Sequence, residues 1–196
     1  MLLNWRTVVI TASLLAASGC STNGDWMGAD AEKAYEKEAE AKRLSAVLNN
    51  DDYYQIHLEG RVYVLSDAKD FTSLIKLGEV PKTVTKIGGG PNGERLVYDV
   101  SSNESKVMET KVGFKGAAQE MYEGGREGLK KGFFGVMFKD GQYVVTDSWD
   151  VAKQFRTGVL PTGAVPGSSS PDGKPVGYIV AGDLKDAHSR FERLLR

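Results

Sequence analysis

The sequence predicts an α+β protein built from two tandem ββαββ repeats with a period of 80 residues, packed together and preceded by an exposed N-terminal helix. Three observations carry that prediction. Shifting the chain by 80 positions superposes Tyr63-Val64 on Tyr143-Val144, Asp67 on Asp147, Asp70 on Asp150, Gly78 on Gly158, Pro81 on Pro161, Pro91 on Pro171, Gly93 on Gly173, Tyr98 on Tyr178 and Val100 on Val180. Those are ten identities over positions 62–100 without a gap, where chance gives about two or three. Each repeat opens on two short β-rich runs around a tight-turn dipeptide, and the segment before the first repeat changes abruptly to Ala, Glu and Lys. The implied boundaries are a leader over 1–19, a tether over 20–29, a charged helix over 30–50, a first unit with a glycine-rich connector over 51–132, and a second unit with a terminal helix over 133–196.

Arg6 is followed by about ten mostly apolar residues and then Ala17-Ser18-Gly19-Cys20. A positive start, a short apolar core and small residues at its end make a secretory signal, and the apolar run falls well short of the ~20 residues that a membrane-spanning helix needs. Residues 17–20 resemble the lipobox of bacterial lipoproteins. That resemblance implies cleavage before Cys20, a diacylglyceryl thioether on its sulfur and acylation of the new amine. Ser21 after the cysteine, by resemblance to Gram-negative lipoproteins, implies export to the outer membrane, with the protein facing the periplasm. Cys20 is the only cysteine of the 196 residues, so no internal disulfide exists to use the oxidising compartment. A lone thiol consumed by lipid fits there, and two or more acyl chains give the stable anchor that one chain does not.

Beyond the tether, Ala31 to Leu48 is rich in strong helix formers. Asp30 is the expected N-cap, acids crowd the start and Lys42-Arg43 lie near the end, in line with the helix dipole. A helix of about 20 residues is about 30 Å long and serves as a spacer. Its larger apolar residues, Leu44, Val47 and Leu48, gather at its end, so its last turns are expected to dock on the domain.

Each unit then begins with a hairpin: residues 53–58 and 61–65 flank Glu59-Gly60, and 133–138 and 142–146 flank Asp140-Gly141. A helix follows, with Asp67 and Asp147 as N-caps, Asp70 and Asp150 three residues on, Gly78 and Gly158 as left-handed stops, and Pro81 and Pro161 beyond them. A second hairpin pairs 83–87 with 95–100 through Gly88 to Gly93, and its counterpart turns through Ser168 to Gly173 into 176–180. A terminal helix covers 183–195, and Ala117 to Tyr122 in the connector reads as helical.

Charge is balanced, with 25 basic and 26 acidic side chains, and this excludes the basic footprint of a nucleic-acid binder. Gly167 to Lys174 superficially resembles a phosphate loop, yet five residues separate its glycines and Pro175 stands where a magnesium-binding Ser or Thr is required. Nucleotide binding is not expected. The two histidines, His57 and His188, share no metal-binding spacing with each other or with a cysteine, so neither cofactor nor metal is expected. Neither histidine recurs between the repeats, the repeated aspartates are explained by capping, and Tyr63, Tyr98, Tyr143 and Tyr178 suit strand packing. The expectation is a membrane-bound envelope module, held through lipid on Cys20, that binds or scaffolds an envelope protein or polymer without catalysis. The alternative is a small periplasmic hydrolase of an envelope polymer, using scattered Asp, Glu and His.

Overall fold

The structure, a computed structural model, describes residues 26–44, 52–129 and 131–196. Cys20, the leader and most of the tether lie outside the described residues, as does the expected end of the charged helix at 45–50. The chain is a mixed α/β protein, with six α-helices and one eight-stranded mixed sheet among the described residues.

Strands β1 (Tyr53–Leu58) and β2 (Arg61–Leu65) form the first hairpin, and β5 (Gly135–Lys139) and β6 (Gln142–Thr146) the second. The turns are made by Glu59 and Gly60 (φ 52° and 70°) and by Asp140 and Gly141 (φ 52° and 78°). Two successive positive φ values define the turn whose twist suits a two-residue hairpin, and this explains a flexible glycine in the second place and a short acidic side chain in the first. β3 (Thr83–Lys86) and β4 (Arg95–Asp99) pair antiparallel, as do β7 (Val165–Pro166) and β8 (Val176–Ile179). β2 runs parallel to β4, and β6 parallel to β8. The sheet order is β3-β4-β2-β1-β5-β6-β8-β7, closed in the middle by parallel pairing of β1 with β5. The two halves of the chain therefore join edge to edge through backbone hydrogen bonds.

The strand alternation sends side chains to two cores. On one face Tyr54, Ile56, Leu65, Val136, Tyr143 and Tyr178 pack beneath α2 (Ala68–Leu77) and α6 (Leu184–Leu195), whose Phe71, Leu74 and Phe191 are buried. On the other, Tyr53, Val62, Val64, Leu96 and Met137 pack beneath α4 (Ala117–Glu123), α5 (Trp149–Ala152) and a 3-10 helix over Lys153–Thr157. α2 neighbours α6, and α4 neighbours the 3-10 helix. α6, after the second group of four strands, thus lies beside the helix embedded in the first group, and α4, after the first, beside the 3-10 helix embedded in the second.

The second half departs from the expected pattern at its helix. Asp67 caps α2, accepting from the Lys69 N–H at 2.7 Å, but the N-cap of α5 is Ser148, one residue after Asp147. Turn residues and helix starts of the two halves lie 81 apart (60 and 141, 68 and 149), whereas the left-handed stops Gly78 and Gly158 lie 80 apart. The second helical segment, 149–157, is one residue shorter than 68–77, and its 3-10 stretch rises more steeply per residue than an α-helix, which covers the distance with fewer residues. Asp147 accepts instead from the Ala181 and Gly182 N–H groups (2.9 and 2.7 Å), bracing the chain beyond β8. In the first half the brace runs the other way: Asp99, at the end of β4, accepts from Ser66 N–H (2.8 Å) and Asp67 N–H (3.0 Å).

The N-terminal helix α1 (Trp26–Leu44) is already helical before Asp30, so Asp30 is an interior residue and not the cap. Its first half docks on α3 (Ser102–Thr110), while Val47 and Leu48, expected to dock on the domain, lie outside the described residues. Gly28 permits the close approach, since a Cβ there would stand 3.0 Å from Thr110 Oγ1. Lys111 pairs with Glu32, and Tyr35 meets Phe114 edge-on at 5.1 Å. Helix α3 itself escaped the sequence reading, although its capping box is written in Ser101-x-x-Glu104: Ser101 Oγ accepts from Glu104 N–H and the Glu104 carboxylate from Ser101 N–H. Glu104 also accepts from Ala117 N–H at 2.7 Å, so one buried carboxylate starts α3 and pins the first turn of α4.

Candidate functional site

The sheet ends shared by β6, β8 and the start of β5 open into a cleft of about 840 Å³. Phe133 and Phe134 form its floor, α5 supplies Ser148, Trp149 and Asp150 from one side of the sheet, and α6 supplies Asp183, Asp186, Arg190 and Arg193 from the other. The local sequence explains the geometry. Gly128 lies so close to Phe133 and Trp149 that a Cβ would sit 2.6 Å from the Phe133 ring, so the connector can fold down only where a side chain is missing. Trp149 stands edge-on to both Tyr53 and Phe133 at 5.7 Å between ring centres, and its outer part remains on the cleft wall.

Arg190 is the pivot. Its guanidinium lies over the Phe134 ring at 4.3 Å, donates to the Gly132 carbonyl at 3.1 Å, and reaches both oxygens of Asp52 at 3.0 and 2.9 Å. Asp52 is buried and accepts in addition from Phe134 N–H (3.0 Å) and Tyr54 OH (3.0 Å). Burial pushes its carboxyl up to about 6 against the opposing pull of Arg190 and the hydrogen bonds. The residues joined here lie 138 positions apart, and α6 is thereby tied to the junction of β1 and β5.

Three aspartates of the cleft are engaged as well. Asp147 holds Ala181 and Gly182, Asp183 caps α6 through Lys185 N–H at 2.8 Å, and Asp150 pairs with Lys153 at 2.5 Å. What the walls offer a ligand is aromatic surface beside mixed charge, with Glu127, Asp186 and Arg193 among the lining side chains.

Neither histidine lines this cleft. His57, on β1, lies towards the hairpin turn, at the opposite end of that strand from Asp52. Its Nε2 is 2.9 Å from the Gln55 amide nitrogen, which also donates to the Phe155 carbonyl at 2.5 Å, while Gln55 Oε1 accepts from Tyr53 OH at 2.8 Å. An amide donor on Nε2 requires the neutral ring, and burial, followed by Lys139, lowers the His57 pKa in agreement. His188 turns away from the cleft towards β8: Tyr178 OH is 2.7 Å from Nδ1, and Nε2 has Ser168 Oγ at 3.3 Å and Glu192 at 3.4 Å. This Ser-His-Tyr arrangement has the atoms of a general base beside a hydroxyl, but Glu192 competes for the same nitrogen and Ser168 is exposed on a loop.

The four tyrosines Tyr63, Tyr98, Tyr143 and Tyr178 are buried in the two cores. The sequence-singled Asp67, Asp70, Asp147 and Asp150 do not gather into a carboxylate pair that could share acid and base roles: each of Asp67, Asp147 and Asp150 has the local duty given above. Among the described residues no group of three His, Cys, Asp or Glu is placed to hold a metal ion, and no helix is long and apolar enough to cross a membrane. Asp52 and Arg190 were not singled out from sequence, and only Asp52's position just ahead of a strand hinted at a role. Compared with protein-family models, curated proteins and solved structures, the chain matches none of them.

Proposed function

We propose that this protein is a lipid-anchored module of the bacterial envelope, tethered through Cys20 to the outer membrane on its periplasmic side, that binds or scaffolds an envelope protein or polymer without catalysis. One observation carries the noncatalytic part: in this cleft Arg190 is bonded to Asp52, Asp147 to the chain beyond β8 and Asp183 to the start of α6, so these three groups are committed within the fold. Proton transfer needs a group free to change its charge at the reacting atom, whereas Trp149 and the neighbouring charges of the walls give a binding surface with aromatic and polar contacts. The lipid anchor rests on the Ala17 to Cys20 motif.

The chain is also read here as a duplicated ββαββ unit whose second copy has lost one residue in its helix. The six identities from Gly78 to Val100 support this at the 80-residue offset, as do the matching strand pairings of the two halves and the change from an 81-residue to an 80-residue offset within the helix. The hydrolase alternative has one specific feature in its favour, the approach of Ser168 to His188.

Crosslinking and pull-down from envelope fractions tests the binding reading, and replacing His57 and His188 together by glutamine separates it from hydrolysis. The double variant is expected to retrieve the same partner and to keep the cellular phenotype. Loss of function in a variant that folds and localises normally overturns the noncatalytic reading. Cys20→Ser is expected to abolish labelling by radioactive fatty acid and to release the protein from membranes. A variant that stays with the membrane as tightly as a parent that never took up label removes the anchor from the proposal.

A further inference from the structure

The geometry points to the free edge of β3 as a strand-addition site for an extended acidic segment of a partner protein, read by Arg61 and Arg95. This deepens the binding-module reading and rests on it. Among the described residues β3 is the outermost strand on its side of the sheet. Val100 N–H donates to the Lys82 carbonyl at 3.0 Å, and in the register Val84↔Tyr98, Lys86↔Leu96 the same alternation turns residues 84 and 86 inward. The N–H and C=O groups of Thr83 and Thr85 accordingly face outward. Their side chains line a groove of about 380 Å³ together with Arg61, Tyr63, Arg95 and Val97.

Natural sheet edges are commonly guarded by lysines, prolines or shortness. Here the two neighbouring lysines are drawn back onto their own domain, Lys86 to Glu123 at 3.2 Å and Lys82 to Ser102 Oγ at 3.4 Å. The opposite edge is guarded: β7 has two residues, one of them Pro166, which has no N–H to offer. Charge then selects the occupant. Arg61 and Arg95 are direct partners across the parallel strands β2 and β4, both exposed, and like charges side by side in a sheet repel. Arg61 donates to Tyr63 OH at 3.1 Å, and Arg95 has no hydrogen bond or ion pair among the described residues. Glu79 is the one carboxylate among the described residues lining the groove. At the matching strand positions of the other half stand Gln142 and Pro175, so the paired positive charge belongs to the open edge alone.

A strand added beside β3 presents every second side chain to this groove. The fitting ligand therefore carries carboxylates at alternating positions, its backbone paired with Thr83 and Thr85 and its acids turned towards the arginines. A second copy of the chain fits less well, because antiparallel β3-β3 pairing would set two arginine pairs on one sheet face.

The test uses the full chain and a fluorescein-labelled peptide of alternating glutamate and threonine, read by fluorescence anisotropy, with the same peptide N-methylated at alternate residues as control. The parent is expected to bind the first peptide and not the second. Arg61→Gln with Arg95→Gln is expected to weaken binding by about tenfold or more, since charge-assisted contacts are the strong ones. Thr85→Pro, which removes an outward N–H and no bond to β4, is expected to abolish it, with unchanged circular dichroism and melting temperature in both variants. No binding, or equal binding of the N-methylated peptide or by either variant, overturns the inference. Concentration-dependent dimerisation of the parent that Thr85→Pro abolishes assigns the edge to a second copy and overturns it too. If both variants still retrieve the envelope partner that the parent retrieves, the edge inference falls while the binding reading stands. If the parent retrieves no partner, the binding reading itself fails, whatever the peptide does.

Discussion

Asp52→Ala is expected to lower the free energy of unfolding by about 3 kcal/mol, because it strands two buried donors and unties α6 from the sheet. The Phe134 N–H and the Tyr54 hydroxyl both end on this carboxylate, and both residues are almost fully buried, so no water replaces the lost acceptor. Arg190 loses its partner as well, but 21% of its side chain is exposed, and hydration there limits its share of the penalty. Asp52→Asn keeps an oxygen for Phe134 N–H and an amide that can meet the phenol, and is expected to cost about 1 kcal/mol, mostly from the ion pair. Urea unfolding at pH 7 measures both. An alanine variant within about 0.5 kcal/mol of the parent, the range of ordinary surface substitutions, would show that the Asp52 knot contributes nothing to the join between α6 and the sheet.

That knot also shows where reading the sequence stops. Features written within a few residues were legible: the hairpins at Glu59-Gly60 and Asp140-Gly141, the Asp67 cap, the Gly78 and Gly158 stops and the terminal helix beginning at Asp183 all follow from local backbone chemistry. Helix α3 was legible too, through Ser101 and Glu104, but the surrounding glycines drew the connector towards a loop. The shift of the second N-cap from Asp147 to Ser148 was hidden, because an ungapped alignment cannot distinguish a 3-10 stretch from an α-helical turn. Nothing local specifies the parallel pairing of β1 with β5, the bond from Arg190 to Asp52, or a cleft whose walls come from residues 127–193. Such contacts depend on which strand edges meet, and that is settled by the burial of two whole faces at once.

Stability is expected to fall as the pH rises from 7 to 9, and Asp99 is the reason. Burial, reinforced after the opposing bond from Ser66 N–H by the negative charges of Glu104 and Asp70, raises its carboxyl to about 8. The folded chain therefore retains a proton that the unfolded chain, with an ordinary aspartate near 3.9, has already released. Between those two values the native state binds more protons, so the slope of stability against pH is negative: the contribution is fully present below about 4 and is lost as the pH climbs through 8. Asp52 acts in the same direction but finishes near 6. His57, with its lowered pKa, acts in the opposite direction and only below its ordinary value, which leaves the window above pH 7 to Asp99. The geometry accommodates the proton, since Asp99 Oδ2 accepts from Ser66 N–H and Asp67 N–H while Oδ1, 3.3 Å from Ser66 Oγ, can donate to that hydroxyl. Asp99→Asn reproduces this pattern with an amide, Oδ1 accepting and Nδ2 donating. Its urea midpoint is expected to lie close to the parent's near pH 4 and to rise progressively above it up to pH 9, with a flat profile between 7 and 9. A parent whose midpoint does not fall between pH 7 and 9, or a variant that falls with it, would show that Asp99 is ionised in the folded protein and that its two backbone donors outweigh its burial.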